Sequence, residues 1–130
     1  MKRKLYNNLL YWKQNKIKTP YMLIGARQTG KTYLLTEFCK NEFENFVYLN
    51  LDNMEEIKNI FEETIIPDNI IKNIEAVLGI DINIDNTIIF IDEIQVSERA
   101  ISSLKYFCES EKVYKIVVAG SLLGVKVNRF

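Results

Sequence analysis

The chain contains no histidine, only two cysteines and no net charge. Without histidine, these residues cannot supply imidazole acid–base catalysis or a histidine metal site. Cys39 and Cys108 lie in helical patterns without metal-ligand spacing, so we expect both to be reduced core residues. Lysine plus arginine equals aspartate plus glutamate, at 17 each, which gives no general electrostatic attraction to nucleic acids or membranes.

The sequence also lacks an apolar run long enough to span a membrane, internal repeats and low-complexity segments. The basic start, residues 1–4, is not followed by a continuous apolar segment, so it does not resemble a signal peptide. We therefore expect a cytoplasmic protein without a membrane partner. An apolar content of 48% supports one compact domain over residues 1–130 and argues against disorder.

The most informative feature is a glycine-rich segment that fits the P-loop pattern G-x-x-x-x-G-K-[ST] at every required position. Its residues are Gly25, Ala26, Arg27, Gln28, Thr29, Gly30, Lys31 and Thr32. The two end glycines allow a tight turn in which successive N–H groups face phosphate oxygens. Lys31 would lie near the β- and γ-phosphates, and the Thr32 hydroxyl would ligate Mg²⁺. We predict that this whole segment and the following Tyr33 bind a nucleotide.

A second motif is an apolar, β-branched run, residues 87–91, that ends in Asp92 and Glu93. It predicts a buried parallel strand with two carboxylates at its C-terminal end, where open α/β sheets bind their ligands. Asp92 would hold Mg²⁺ through water, and Glu93 would orient and activate the attacking water as a catalytic residue. Taken alone, an Asp-Glu pair after a strand is equally compatible with a solvated turn.

A third motif is the apolar run at residues 115–119, which leads into Gly120 and Ser121. In P-loop ATPases with a catalytic glutamate, a polar residue at the tip of such a strand senses the γ-phosphate or positions the water. Ser121 occupies that place and is our third catalytic candidate, beside Lys31 and Glu93. A plain turn serine is the alternative interpretation.

Strand and helix patterns alternate along the chain. This alternation predicts an α/β fold with a parallel sheet and helices on both faces, and together with the P-loop pattern it indicates a P-loop NTPase three-layer αβα sandwich. Strands are predicted at residues 21–24, 46–52, 87–91 and 115–119. Gly79 is predicted to end one helix and Ser97 to cap the start of another. Residues 81–86 form either a loop or a weak edge strand.

Three lysines, Lys13, Lys16 and Lys18, cluster near the end of the first predicted helix. Cations at a helix C-terminus suit the helix dipole, so a solvated helix end is the favoured interpretation. A contact with a polyanion or near an adenine is the alternative.

Together these motifs resemble the prokaryotic AAA-type ATPases that usually carry a C-terminal nuclease-like domain of unknown function. The matching segments are the P-loop, Tyr48-Leu49-Asn50-Leu51-Asp52, Phe90-Ile91-Asp92-Glu93-Ile94-Gln95, Leu104-Lys105-Tyr106-Phe107 and Gly120-Ser121-Leu122-Leu123-Gly124. The resemblance implies ATP rather than GTP, and the lack of an Asn-Lys-x-Asp motif agrees. It also implies that the strand ending near Ser121 lies between the P-loop strand and the acidic strand.

Members of that group extend well beyond residue 130 with a fifth strand, a helical lid and a C-terminal region. The resemblance therefore implies an AAA-type ATP-binding domain of the ASCE class, the P-loop ATPases that carry a catalytic glutamate. In this sequence the domain would stop just after the strand that ends at Ser121, which is the sensor strand of that class. Its P-loop strand would be an exposed sheet edge that invites self-association. Arg99 and Arg129 are candidates for an arginine finger, although a surface arginine is the favoured interpretation of each.

Three functions stay open, and ATP with Mg²⁺ is the expected cofactor of the first two. The first is ATP hydrolysis, with Lys31 and Mg²⁺ offsetting the developing charge. The second is a nucleotide-binding switch with little turnover, in which ATP orders an interface. A small-molecule phosphotransferase is less favoured, because the Asp92-Glu93 pair suits water as the acceptor. A DNA or protein client of the hydrolysis also stays open.

Overall fold

A computed structural model describes residues 2–25 and 29–121. The strands are β1 (Tyr21–Gly25), β2 (Asn45–Asn50), β3 (Thr87–Asp92) and β4 (Lys115–Ser121). The helices are α1 (Lys2–Gln14), α2 (Thr29–Glu42), α3 (Glu55–Glu63), α4 (Pro67–Leu78) and α5 (Glu98–Glu109). A short 3₁₀ turn, Ile94–Val96, connects β3 to α5.

The four strands form one parallel sheet in the order β1-β4-β3-β2. This confirms the predicted α/β class and the position of the Ser121 strand between the P-loop strand and the acidic strand. In register, Gly25 pairs with Ser121 and Asn50 pairs with Asp92. Because all strands run the same way, their C-terminal ends meet along one edge, where the predicted ligand site lies.

Helices cover both faces of the sheet. On one face, Leu9 and Trp12 of α1 and Phe38 of α2 pack with strand residues such as Phe90 and Val117. On the other, α3, α4 and α5 pack on the alternate strand positions, which include Ile91 and Val118. Every residue of β3 is buried, as expected for a central strand with helices on both sides. The structure is therefore the predicted three-layer sandwich.

Two predicted helix boundaries are confirmed by their local geometry. Gly79 follows α4 in the left-handed region at φ 66°, and its N–H bonds to the carbonyl of Glu75. The Ser97 hydroxyl accepts a hydrogen bond from the Ala100 N–H at 3.1 Å at the start of α5. Both signals act over four residues or fewer, so the sequence alone specifies them.

The predicted end of the second strand was wrong. β2 ends at Asn50 and not at Asp52, because the Asn50 side-chain oxygen accepts hydrogen bonds from the N–H groups of Asp52 and Asn53, at 2.9 and 3.2 Å. Such a side-chain turn competes with strand continuation. Residues 80–86 form a loop that ends in a turn, which decides between the two predicted alternatives.

Both cysteines are free thiols, as predicted, but only Cys39 is a buried core residue; the prediction of a core position was wrong for Cys108, which is partly buried near the end of α5. Across residues 2–25 and 29–121, we find no helix that is both long and apolar enough to traverse a membrane.

Candidate functional site

The predicted phosphate-binding segment begins at Gly25, the last residue of β1. Ala26, Arg27 and Gln28 lie outside the described residues. Helix α2 begins at Thr29, so Gly30 and Lys31 belong to its first turn, where the helix dipole favours anions. The strand, glycine segment and helix thus follow one another as the P-loop pattern requires.

Two further predicted ligands lie in the first part of α2. Thr32 is partly buried, and its carbonyl accepts a hydrogen bond from the Thr36 hydroxyl at 2.9 Å. Tyr33 is 60% exposed, and a hydrogen bond with Glu37 is the largest cause of its raised pKa. Tyr33 therefore lies on the exposed face of α2, with Glu37 one turn further along the same helix.

Asp92 is a buried carboxylate, 6% exposed, at the C-terminal end of β3. Its Oδ2 accepts a 2.6 Å hydrogen bond from the Tyr48 hydroxyl, and its Oδ1 accepts one of 2.9 Å from the Glu93 N–H. The Asn50 side-chain amide donates to the Tyr48 hydroxyl at 3.2 Å. Two neighbouring side chains on β2 thus orient the carboxylate.

Burial raises the pKa of Asp92 above its ordinary value of 3.8, while the hydrogen bonds from Tyr48 and Glu93 lower it in part. The same neighbourhood raises the pKa of Tyr48 to about 12, through burial first and the bond to Asp92 second. The ionised carboxylate is therefore incompletely compensated by its protein partners. A cation would supply the missing compensation.

This donor set fits Mg²⁺. Carboxylate and hydroxyl oxygens are the ligands that Mg²⁺ prefers, together with water and nucleotide phosphates. Within the part of the chain that the structure describes, no group of three or more His, Cys, Asp or Glu residues forms an all-protein metal cage. Asp92 and Thr32, the two predicted Mg²⁺ ligands, both carry oxygen donors of the kind that Mg²⁺ shares with nucleotide phosphates.

Glu93 adopts a left-handed backbone conformation, with φ 56° and ψ 46°. Among the described non-glycine residues, only Lys16 shares a positive φ. Such a conformation costs on the order of 1–2 kcal/mol for a residue with a side chain. It ends β3 sharply and begins the 3₁₀ turn, so that Glu93 and Gln95 face each other: the Gln95 Nε2 donates to Glu93 Oε1 at 2.7 Å.

Ser121 ends β4 and is 7% exposed. Its backbone N–H donates to Gln95 Oε1 at 3.0 Å. A Cβ on the preceding Gly120 would lie 2.8 Å from this same Oε1 and 2.9 Å from Ile94 Cγ2, so only glycine admits the contact without displacement. The structure therefore joins the Glu93 carboxylate and the Ser121 backbone, both from predicted catalytic residues, through the terminal amide of one glutamine side chain.

The arrangement adds three residues to those predicted from the motifs: Tyr48, Asn50 and Gln95. All three lay within segments that carried the family resemblance, but nothing in their spacing marked them as partners of the carboxylates. The sequence signals were weak: Tyr48 lies within an apolar strand pattern, Asn50 is a polar residue near its end, and Gln95 follows the two acids after one apolar residue. Strand order, which the sequence does not show directly, makes them neighbours.

Arg99, one of the two arginine candidates, makes its hydrogen bond away from these residues. Arg99 lies in the first turn of α5, and its Nε donates to the carbonyl of Phe61 at the end of α3, at 3.3 Å. This contact ties two helices together on one face of the sheet. Arg129 lies outside the described residues.

A comparison with curated proteins finds no match. A family model described as an AAA domain matches residues 17–129, which include both the P-loop and the two carboxylates. That match supports nucleotide binding of the kind that the site geometry suits. It covers most of the sequence, and the chain therefore belongs to the AAA domain family.

Proposed function

We propose that this chain binds ATP together with Mg²⁺ and hydrolyses it at the C-terminal edge of the sheet. The proposal rests on the position of Asp92 and Glu93 at the C-terminal end of β3. Strand β4 lies next to β3, and β1, which leads into the P-loop, lies next to β4. A P-loop without a neighbouring acidic pair supports binding alone. A P-loop with one also has the groups that hold a metal ion and direct water.

Each residue has a distinct role in this proposal. Lys31 neutralises charge on the β- and γ-phosphates, and Thr32 with Asp92 holds Mg²⁺, which supplies further charge compensation. Glu93 accepts a proton from the attacking water as it approaches in line. Ser121 positions that water or the γ-phosphate. ATP is the one ligand that the proposal requires.

Titration of Mg²⁺-ATP into the protein, followed by calorimetry, tests the phosphate site. We expect Lys31→Ala to weaken binding by at least about tenfold, because it removes the cation beside the phosphates. Lys40→Ala is the matched control, since Lys40 is an exposed lysine in the last turn of the same helix. Equal binding by wild type and Lys31→Ala would contradict the phosphate site.

Phosphate release tests hydrolysis separately. Glu93→Gln keeps the shape of the side chain but cannot accept the proton, so we expect normal binding and a loss of about 10²–10⁴ in rate. Glu63→Gln, at an exposed position on α3, is the control. If the wild-type protein releases phosphate no faster than Glu93→Gln, hydrolysis is ruled out and the nucleotide-binding switch is the function that remains.

The outer strand β1 is the proposed site of self-association. Among the described residues β1 has one strand neighbour, β4, and all five of its residues are partly exposed. A strand in that position can pair with another through its free backbone groups. Sedimentation at increasing protein concentration measures this; a mass that stays at one chain throughout would exclude it.

A further inference from the structure

One side chain connects the two strands that carry the catalytic candidates. The amide of Gln95 donates to the Glu93 carboxylate at 2.7 Å and accepts from the Ser121 N–H at 3.0 Å. Glu93 follows β3, whereas Ser121 is the last residue of β4. The connection thus crosses from one strand end to the neighbouring one, at the edge where the nucleotide would bind.

Glutamine suits this position better than any similar residue. The side chain that bridges Glu93 and Ser121 must donate a hydrogen bond to a carboxylate and accept one from a backbone N–H. A side-chain amide can do both, through its NH₂ and its oxygen. Glutamate would lose the donor and add a like charge beside Glu93, while leucine would lose both bonds. Gly120 completes the fit, because a Cβ there would collide with the Gln95 oxygen at 2.8 Å.

We propose that Gln95 is a positioning residue that couples the carboxylate of Glu93 to the end of β4. It touches neither the nucleotide nor the water, and it acts through Glu93. A displacement of the Ser121 backbone, at the proposed γ-phosphate sensor, shifts the Gln95 amide and with it the carboxylate. The expected effect of this coupling on kcat rests on the proposed hydrolytic function. The two hydrogen bonds of Gln95 do not depend on that function.

Two substitutions distinguish the hydrogen bond from Gln95 to Glu93 from the one between Gln95 and the Ser121 N–H. Gln95→Glu keeps the acceptor for Ser121 and loses the donor for Glu93, whereas Gln95→Leu loses both. For both variants we expect kcat to fall about tenfold to a hundredfold, because a misplaced base costs that much, while the KM for ATP stays within about twofold. Gln14→Leu, at an exposed position that ends α1, is the matched control and should leave both constants unchanged.

A double-mutant cycle shows whether Gln95 acts through Glu93. In a Glu93→Gln background, Gln95→Leu should cause no further loss of phosphate release, because the group that it positions is already disabled. A further loss equal to that in the wild-type background would overturn the proposal. So would a change in KM with an unaltered kcat, which would place Gln95 in nucleotide binding.

Amide exchange and side-chain NMR signals test the bridge even if the protein shows no turnover. The Ser121 N–H should exchange slowly in wild type and in Gln95→Glu, and at least about tenfold faster in Gln95→Leu and Gly120→Ala. The Gln95 side-chain amide protons should shift in Glu93→Ala. If neither signal responds, the coupling is wrong, whatever the outcome of the hydrolysis assay. If both respond and wild type equals Glu93→Gln in rate, only the hydrolytic proposal fails.

Discussion

At the scale of single residues, the site concentrates features that ordinary folding disfavours. Asp92 is a buried carboxylate whose pKa is raised by desolvation, and Glu93 holds a left-handed backbone conformation. Each feature costs stability in the absence of a ligand, and the buried Asp92 carboxylate suits a ligand that brings positive charge. Residues of this kind are retained where binding, and not folding, requires them.

Replacing Asp92 by asparagine should therefore stabilise the protein without nucleotide or Mg²⁺. The amide keeps the shape and removes a desolvated charge, although its single oxygen can accept from only one of the Tyr48 hydroxyl and the Glu93 N–H. We expect a net gain of at most about 1 kcal/mol in the free energy of unfolding at neutral pH. Since the folded-state pKa of Asp92 is raised above 3.8, its ionisation costs stability as pH rises, so the gain should vanish below about pH 4.

Urea unfolding at pH 7 and near pH 3.5 measures the difference. Asp81→Asn makes the same change at an exposed loop position and should have little effect. A loss of stability in Asp92→Asn at pH 7 would show that its hydrogen bonds outweigh its desolvation.

At the scale of elements, short connections determine where the site residues lie. The 3₁₀ turn after β3 places Gln95 against the end of β4, and Ser97 then starts α5. The Ser97 hydroxyl accepts from the Ala100 N–H and donates to Glu62 Oε2 at 2.6 Å, so it also fastens α5 to α3. This capping residue therefore stabilises both the helix and the segment that carries Gln95.

Ser97→Ala should lower the free energy of unfolding by about 1–2 kcal/mol, because it removes a helix cap in a buried position. Ser102→Ala, at an exposed position of the same helix, is the control and should change stability by less than about 0.5 kcal/mol. Thermal unfolding followed by circular dichroism compares the two. Equal stability of the variants would mean that water or another group replaces the cap.

At the scale of the whole molecule, two apolar layers on opposite faces of the sheet bury ionisable groups far from the site. Burial raises the pKa of the Cys39 thiol to about 12, and that of Tyr114 to about 12 with help from its hydrogen bond to Asp68. Together with Tyr48 these groups stay protonated in the folded state at pH values where the unfolded chain ionises. The stability of the whole fold therefore depends on pH in the alkaline range.

Stability should fall as pH rises from about 9 to about 12. The ordinary pKa values are 9.0 for Cys39 and 10.0 for the two tyrosines. Above them the unfolded state binds fewer protons than the folded state, which favours unfolding. Urea midpoints measured at intervals between pH 8 and 11 test this, and a midpoint that stays constant over that range would contradict the raised pKa values of these groups.

The sequence by itself determined the features that depend on short-range order. Strand and helix periodicity, the P-loop pattern, the Ser97 cap and the Gly79 cap all involve neighbours along the chain, and the described structure confirms the strands, helices and caps with small changes of boundary. The end of β2 was missed because the side-chain turn at Asn50 competes with an apolar pattern that continues past it.

The tertiary structure alone decided how the site is assembled. Tyr48 reaches Asp92 across 44 positions, and Gln95 reaches Ser121 across 26, because β3 lies between β2 and β4. Hydrogen bonds of this kind have no sequence spacing of their own, since they depend on strand order and on the turn that follows a strand. The chemistry of the carboxylates was therefore visible in the sequence, while the side chains that orient them became visible only in the folded sheet.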